Sequence, residues 1–334
     1  MDDFEKARDK LKKQKYGLVG KHSAVQICQW TKNSLNNDGG CWKEKFYGIN
    51  SHRCAQTSVG IFNCDNKCLH CWRNTDYTIG KEVENPENPE EIIDGIIKER
   101  KRLMNGFPGN LKADKEKVKE AFEPNFFTFS LAGEATLYPK LGEMIKILRK
   151  RNIITFLVTN GLNPEALRKL MQENALPTQM TISMNTTNEK LFNVWHRSSK
   201  KDAWKKFNES LELMKELKGK VRRAVRLNLV KIDETDKNFI GTLSNMNEEH
   251  IKEYAELIKK AMPDFIHVDG FKSIGAARER MSWRKMPNYN EIKIFAKKLV
   301  KELPKDYKIL GEEPRSAVIL ISNWKKKDLK IKGA

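Results

Sequence analysis

Short apolar runs and longer amphipathic stretches alternate along most of this chain. The runs Phe126–Leu131, Ile153–Val158, Gln179–Ser183, Ala224–Val230 and Phe265–Val268 are four to seven residues long, the length and character of buried strands. Between them, Pro139–Lys150, Pro164–Glu173, Lys201–Lys218 and Asn247–Ala261 carry apolar residues at three- and four-residue steps, which predicts helices with one face in the core. Upstream, Val59–Asn63 reads as one more short buried strand. Asn88-Pro89-Glu90-Glu91 opens a helix that runs to about Leu103, with proline in its first turn. Strands separated by helical lengths of chain pair in parallel through right-handed crossovers, so the pattern predicts an α/β fold of six βα units.

The flanks depart from that rhythm. Residues 1–21 are polar and lysine-rich, with an exposed helix expected over Asp2–Gln14. Residues 22–56 read as irregular, with a turn at Gly39-Gly40, and residues 105–123 as a solvated surface insertion. After Pro287 a helix over Tyr289–Leu303 and a strand over Ser316–Ser322 precede a basic tail. The expected organisation is an N-terminal extension (1–56), a barrel core (57–286) and a C-terminal extension (287–334) within one globular domain.

Charge narrows the partners. Lys and Arg number 63 against 44 Asp and Glu, a net charge of +19. A surplus of this size favours a polyanion, because neutralised phosphates release condensed counterions. The N-terminus has no apolar run of signal-peptide type, and no stretch reaches the length of a membrane span. All six cysteines fall between Cys28 and Cys71, whereas a disulfide framework would scatter them through a secreted chain. A reducing cytoplasm is expected, with the cysteines serving metal.

Three of them form the frame Cys64-x3-Cys68-x2-Cys71 on one short loop. Such a loop can hold three corners of a cubane iron–sulfur cluster and leave one iron free of protein thiolate, and an open position is where a metal does chemistry. A structural zinc loop is the plainer alternative. With His70 just before the last cysteine, the loop resembles the signature of radical S-adenosylmethionine enzymes. The resemblance implies a partial (β/α)6 TIM-like barrel, which six βα units match, and a 4Fe-4S cluster on Cys64, Cys68 and Cys71. It also implies S-adenosyl-L-methionine on the open iron, cleaved to a 5′-deoxyadenosyl radical. In such barrels functional residues lie at the C-terminal ends of strands. There Ala132-Gly133-Glu134-Ala135 resembles the family's Gly-Gly-Glu-Pro element, with alanines for the first glycine and the proline. Gly133 would allow close backbone approach, and Glu134 would meet the methionine ammonium. Asn160, Ser183, Asn185 and Asn228 are further candidates for the cofactor pocket, with Arg226 on the same strand face as Asn228, and His70 a candidate for packing near adenine.

The other three, Cys28, Cys41 and Cys54, are separated by equal gaps of twelve residues. Read alone, they are a second metal site or three free thiols, and a zinc completed by His22 or His52 stays open. With Gly39-Gly40-Cys41-Trp42-Lys43, this triad strongly resembles the tRNA 4-demethylwyosine synthase family of wybutosine biosynthesis, in its shorter archaeal form. The resemblance implies an auxiliary 4Fe-4S cluster on Cys28, Cys41 and Cys54. It implies pyruvate held by that cluster and by a Schiff base with Lys43, and tRNA-Phe carrying N1-methylguanosine as the other substrate. Without a flavodoxin-like domain in the chain, electrons are expected from an external flavodoxin or ferredoxin. A monomer is expected.

Arg197, Arg278, Arg280, Arg284 and Lys285 are candidate tRNA phosphate contacts. Trp30, Trp42, Trp72 and Trp195 are candidate stacking surfaces for a splayed base. Two other readings compete: another radical enzyme with an auxiliary cluster, although those usually place its cysteines after the signature, and a zinc-stabilised RNA-binding protein without catalysis.

Overall fold

The fold is taken from a computed structural model, which describes residues 3–333; the expected helix start at Asp2 lies outside the described residues. One ten-stranded sheet organises the chain. In chain order its strands are β1 (Gly17–Val19), β2 (Ser23–Gln26), β3 (Cys54–Ser58), β4 (Phe126–Phe129), β5 (Ile154–Thr159), β6 (Gln179–Ser183), β7 (Arg222–Leu229), β8 (Phe265–Gly270), β9 (Lys308–Glu313) and β10 (Val318–Ser322). Their spatial order is the chain order up to β8, followed by β10 and then β9. β3 to β8 pair in parallel, while β2 and β10 join the two edges antiparallel. The order is open, with β1 at one end and β9 at the other. The six parallel strands are therefore the expected partial (β/α)6 barrel. Both extensions belong to its sheet.

The helices are α1 (Asp3–Lys13), α2 (Gln29–Leu35), α3 (Trp42–Tyr47), α4 (Pro89–Met104), α5 (Lys115–Ala121), α6 (Leu141–Lys150), α7 (Pro164–Gln172), α8 (Glu189–His196), α9 (Ala203–Glu216), α10 (Phe239–Thr242), α11 (Glu248–Ala261) and α12 (Tyr289–Glu302). Local chemistry sets the long ones. At α4, Asn88 accepts from the amide of Glu90 at 2.8 Å, Pro89 occupies the first turn, and Lys101 and Arg102 sit in the last, matching both ends of the helix dipole. At α12, Asn288 and Glu291 form a capping box. Among the described residues no helix is long and apolar enough to cross a membrane.

The sheet has two different faces. Outward-pointing residues such as Phe127, Phe129, Leu157, Ile182, Val225, Leu227, Ile266 and Val268 join the helices in the main core; each fully buried side chain of this kind contributes roughly 1.5–3 kcal/mol. The inward face is apolar only at its N-terminal end. There Phe126, Ile154, Phe156, Ala224 and Phe265 pack on Phe46 and Tyr47 of α3 and on Val318 and Leu320. Higher up, the inward positions are polar, among them Ser183, Arg226, Asn228, His267 and Asp269. A short aromatic helix thus plugs the lower mouth of a lumen whose upper part is polar.

Three expectations need correction. The first parallel strand is Cys54–Ser58, not Val59–Asn63, which form a turn. Its sequence, Cys-Ala-Gln-Thr-Ser, carries no apolar run because its inward residues face the lumen. The segment expected to be irregular, 22–56, contains β2, α2 and α3, and the expected surface insertion holds α5, which Asp114 caps by accepting from the amides of Glu116 and Lys117.

At the lower end of β7, the fully buried Arg223 donates from Nη2 to Asp264 Oδ1 at 2.6 Å and from Nε to Oδ2 at 3.1 Å. Breaking such a pair leaves an uncompensated buried charge. Asp264→Ala is expected to lower unfolding stability by about 3–5 kcal/mol in denaturant titration, and a loss below about 1 kcal/mol would contradict this reading.

Candidate active site

The signature loop leaves β3 at the C-terminal mouth of the barrel and is held there mostly by backbone. Cys64 N donates to Ile79 O at 3.0 Å, Lys67 N to His196 O at 3.0 Å and Leu69 N to Trp195 O at 2.9 Å. Lys200 Nζ pairs with the buried Asp65 at 3.2 Å. From the far side, Arg280 donates through Nε to Leu69 O at 3.1 Å and through Nη2 to Cys71 O. The three thiols are free. Burial pushes all three up, and each of Cys64 and Cys68 is raised further by the neighbouring cysteines. A thiol so desolvated stays protonated and inert unless a metal takes it as thiolate.

Gly133 and Glu134 close over this loop. Gly133 sits at φ +68°, and a Cβ there would run into Gly60 O and lie 2.7 Å from Asn63 O. Its need for glycine comes from loop-on-loop packing, with Glu134 N donating to Asn63 O at 2.7 Å. The Glu134 carboxylate is buried. Oε1 accepts from Thr136 N at 3.1 Å, Thr136 Oγ1 at 2.8 Å and Thr159 Oγ1 at 2.7 Å, and Oε2 accepts from Asn160 N at 2.7 Å. One lone pair of Oε2 is left for an ammonium; the rest of the carboxylate ties the end of β4 to the end of β5.

Other expected pocket residues also stand at this mouth. Asn160 is half-buried at the end of β5, its side-chain oxygen accepting from Leu162 N at 2.9 Å. Ser183 and Asn228 are half-buried on the lumen wall. Asn185 Nδ2 reaches His70 Nε2 at 3.5 Å, and Trp195 Nε1 donates to His70 Nδ1 at 2.6 Å. Burial, with Arg226 and Arg280 nearby, lowers His70 to about 3, so it stays neutral. His196 places Nδ1 3.1 Å from Cys68 Sγ.

The second triad lies at the opposite mouth. Cys54 is the first residue of β3, while Cys28 and Cys41 stand at the N-caps of α2 and α3. Burial raises Cys41 to about 11 and Cys54 to about 12, and all three thiols act on one another electrostatically. The four steps of β3 put about 13 Å between the mouths. Lys43 projects from α3 into the lumen, its Nζ 5.5 Å from the Phe126 ring and 5.9 Å from the Phe156 ring. Among the described residues Lys43 Nζ has no hydrogen-bond or ion-pair partner.

The zinc reading finds no support here. His22 is taken up by Val59 O at 2.8 Å and Glu87 at 3.3 Å, and His52 by Glu120 at 2.6 Å and Ser34 at 3.5 Å. Among the described residues no group of three or more His, Cys, Asp or Glu closes on a single ion. Sequence reasoning missed Arg100. It is fully buried beside Cys54, donating to Cys54 O at 3.0 Å and His52 O at 2.6 Å. Among the described residues it has no carboxylate partner, and burial lowers it to about 10. Within a lysine- and arginine-rich helix nothing marked it out.

Three tRNA candidates are corrected. Lys285 is buried, with Nζ donating to Gly241 O at 2.7 Å and Leu243 O at 2.8 Å, so it is withheld from phosphate. Arg280 is committed to the cysteine loop. Trp195 is buried and withheld from base stacking. Arg197, Arg278 and Arg284 are exposed near the C-terminal mouth, and Trp283, 66% exposed, lies 5.1 Å from the Arg284 guanidinium.

A parallel half-barrel with a three-cysteine loop at its C-terminal mouth defines the radical S-adenosylmethionine class, and residues 59–246 match the Radical SAM superfamily. Residues 260–323 match the wyosine base formation family. The chain is 38% identical to the S-adenosyl-L-methionine-dependent tRNA 4-demethylwyosine synthase of Pyrococcus abyssi, over 95% of this chain and 88% of that one. A solved structure of TYW1 with a lysine-pyruvate adduct bound superposes with a TM-score of 0.81 at 30% identity, covering 98% of this chain and 97% of that one. A crystal structure of archaeal TYW1 superposes at 0.74 and 29% identity, covering 98% and 99%. The chain belongs to the tRNA 4-demethylwyosine synthase family, and the superfamily implies S-adenosylmethionine and a 4Fe-4S cluster.

Gly133→Ala is expected to be among the most damaging single methyl additions in the chain. Overpacking costs about 1–3 kcal/mol and the left-handed backbone about 1–2 more. Thermal unfolding together with iron content after reconstitution checks it: both should fall, and wild-type values for both would contradict the packing account.

Proposed function

We propose that this protein makes 4-demethylwyosine in tRNA-Phe from N1-methylguanosine and pyruvate, using two 4Fe-4S clusters. The observation that carries the reading is the pair of cysteine triads at opposite mouths of one lumen, with Lys43 reaching among the lumen's aromatic rings beside the second. Cys64, Cys68 and Cys71 hold one cluster, with S-adenosylmethionine against Gly133, Glu134, Asn160, Ser183, Asn185 and Asn228. Cys28, Cys41 and Cys54 hold the other. The first cluster, when bound with S-adenosylmethionine, supplies a 5′-deoxyadenosyl radical that takes hydrogen from a methyl group.

The chain's own residues do the rest of the positioning. Lys43 forms a Schiff base with pyruvate at the lower end of the lumen, a role the lysine-pyruvate adduct of the similar TYW1 structure supports. The polar lumen lies between that adduct and the C-terminal mouth, where a splayed guanine would enter. The aromatic plug of α3 keeps bulk water from the lower end. His70, held neutral between Trp195 and Asn185, packs near the adenine. Arg197, Arg278 and Arg284, with Trp283, form the tRNA face, in keeping with the net charge of +19. The protein works as a cytoplasmic monomer and receives electrons from a separate flavodoxin or ferredoxin.

The test is anaerobic turnover of reconstituted protein with reductant, S-adenosylmethionine, pyruvate and tRNA carrying N1-methylguanosine, followed by digestion and mass analysis. 4-Demethylwyosine is expected, and it should vanish without pyruvate and in Lys43→Ala. Formation of 5′-deoxyadenosine with unchanged RNA would refute the substrate assignment. The tRNA face has its own test: Trp283→Ala is expected to weaken tRNA binding five- to a hundredfold, the value of about 1–3 kcal/mol for one base stack, at fixed salt. Unchanged binding would remove Trp283 from the interface.

A further inference from the structure

The alternation that places Arg226 and Asn228 on the lumen wall recurs on the next strand at His267 and Asp269, which pair in register with them. Arg226 and Asp269 form an ion pair. His267 is left over. It is 1% exposed, and its Nε2 lies 2.5 Å from Tyr47 Oη. Among the described residues its Nδ1 is buried with no hydrogen-bond partner, an exception among buried polar groups that calls for an explanation. The imidazole is 4.6 Å from the Trp42 ring, and Lys43 Nζ is 5.6 Å from the same ring. Burial, with Arg226, Lys43 and Arg222 nearby, lowers His267 well below its ordinary range, so it is a neutral imidazole. The Trp42 ring thus borders both His267 and Lys43.

We propose that His267, oriented by Tyr47, is the proton-transfer group for condensation of Lys43 with an α-keto acid. The inference rests on the role given to Lys43 above. In that condensation the Nζ lone pair forms a bond to the C2 carbonyl carbon, and the carbonyl π pair moves to oxygen. The C–O bond then breaks, oxygen leaves as water and the C=N bond forms. Two protons leave nitrogen and two arrive at oxygen, so nothing is oxidised or reduced and no further reactant is consumed. With Nε2–H donated to Tyr47 Oη, the Nδ1 lone pair of His267 takes each proton from nitrogen and returns it to oxygen. Lumen groups of fixed charge, such as Arg226, cannot make this transfer, since a guanidinium does not give up its proton. Tyr47 is a positioning residue: its hydroxyl occupies Nε2 and leaves Nδ1 as the ring nitrogen open to a proton.

The experiment traps the adduct before any radical chemistry. Protein reconstituted with iron and sulfide, without S-adenosylmethionine, is mixed with pyruvate and cyanoborohydride, and the reduced adduct on the Lys43 peptide is followed by mass. His267→Ala is expected to form the adduct at least about a hundredfold more slowly, the lower end of what acid–base catalysis contributes. Added imidazole should restore much of the rate by filling the space the ring left, which a merely structural role would not allow. Should His267→Ala not fold, Tyr47→Phe keeps the ring and removes only the orienting hydroxyl; it is expected to be about tenfold slower, a fraction of the same contribution. Wild-type trapping rates in these variants would overturn the role of His267 and leave Lys43 standing. Absence of any adduct on Lys43 in the unaltered protein would overturn both.

Discussion

The packing of Trp42, Phe46 and Tyr47 into the lower mouth of the half-barrel is the contact on which the proposed chemistry depends. Tyr47 meets Phe156 and Phe265 edge-on, with ring centroids 6.0 and 5.3 Å apart, and Phe46 lies in the same apolar cluster as the inward ends of β4, β5 and β8. An open sheet of this kind has two mouths, and a substrate lumen needs one of them shut. Closing it with a six-residue helix also fixes what that helix carries. Cys41 stands at its N-cap and Lys43 in its first turn, so both are placed by the aromatic packing of this helix, and Cys41 N is also tied to Ser51 Oγ at 2.8 Å.

Much of the barrel was legible in the sequence because its outward face is continuously apolar. The expected strand at Gln179–Ser183 coincides with β6, and α6, α7, α9 and α11 fall within two residues of their expected ends. Failure came where a strand faces the polar lumen. β3 was misplaced because Cys54, Gln56 and Ser58 hide the alternation that Ala55 and Thr57 carry alone. β9 escaped notice as a mostly half-buried edge strand.

The site was legible in part. The signature triad could be seen from its spacing and the second triad only through the family resemblance, but not that they occupy opposite ends of the sheet, because that depends on where β3 begins. Basic residues were the least legible. Arg278, Arg280, Arg284 and Lys285 look alike in one short run, yet Lys285 is buried on two carbonyls and Arg280 clamps the cysteine loop. Charge in a sequence says nothing about which cations the fold spends on its own carbonyls. His267 belongs with these: inside a buried strand it reads as a core residue until its free nitrogen and its neighbour Lys43 are seen together.

The central claim is that one lumen separates two independent thiol sites. The most direct measurement is iron and sulfide content, with electron paramagnetic resonance of the reduced protein, for the unaltered chain, Cys68→Ala and Cys41→Ala. The account predicts about eight irons in the unaltered chain and about four in each variant. Added S-adenosylmethionine should perturb the spectrum of Cys41→Ala and leave that of Cys68→Ala unchanged. Loss of all iron in either variant, or four irons in the unaltered chain, would contradict it.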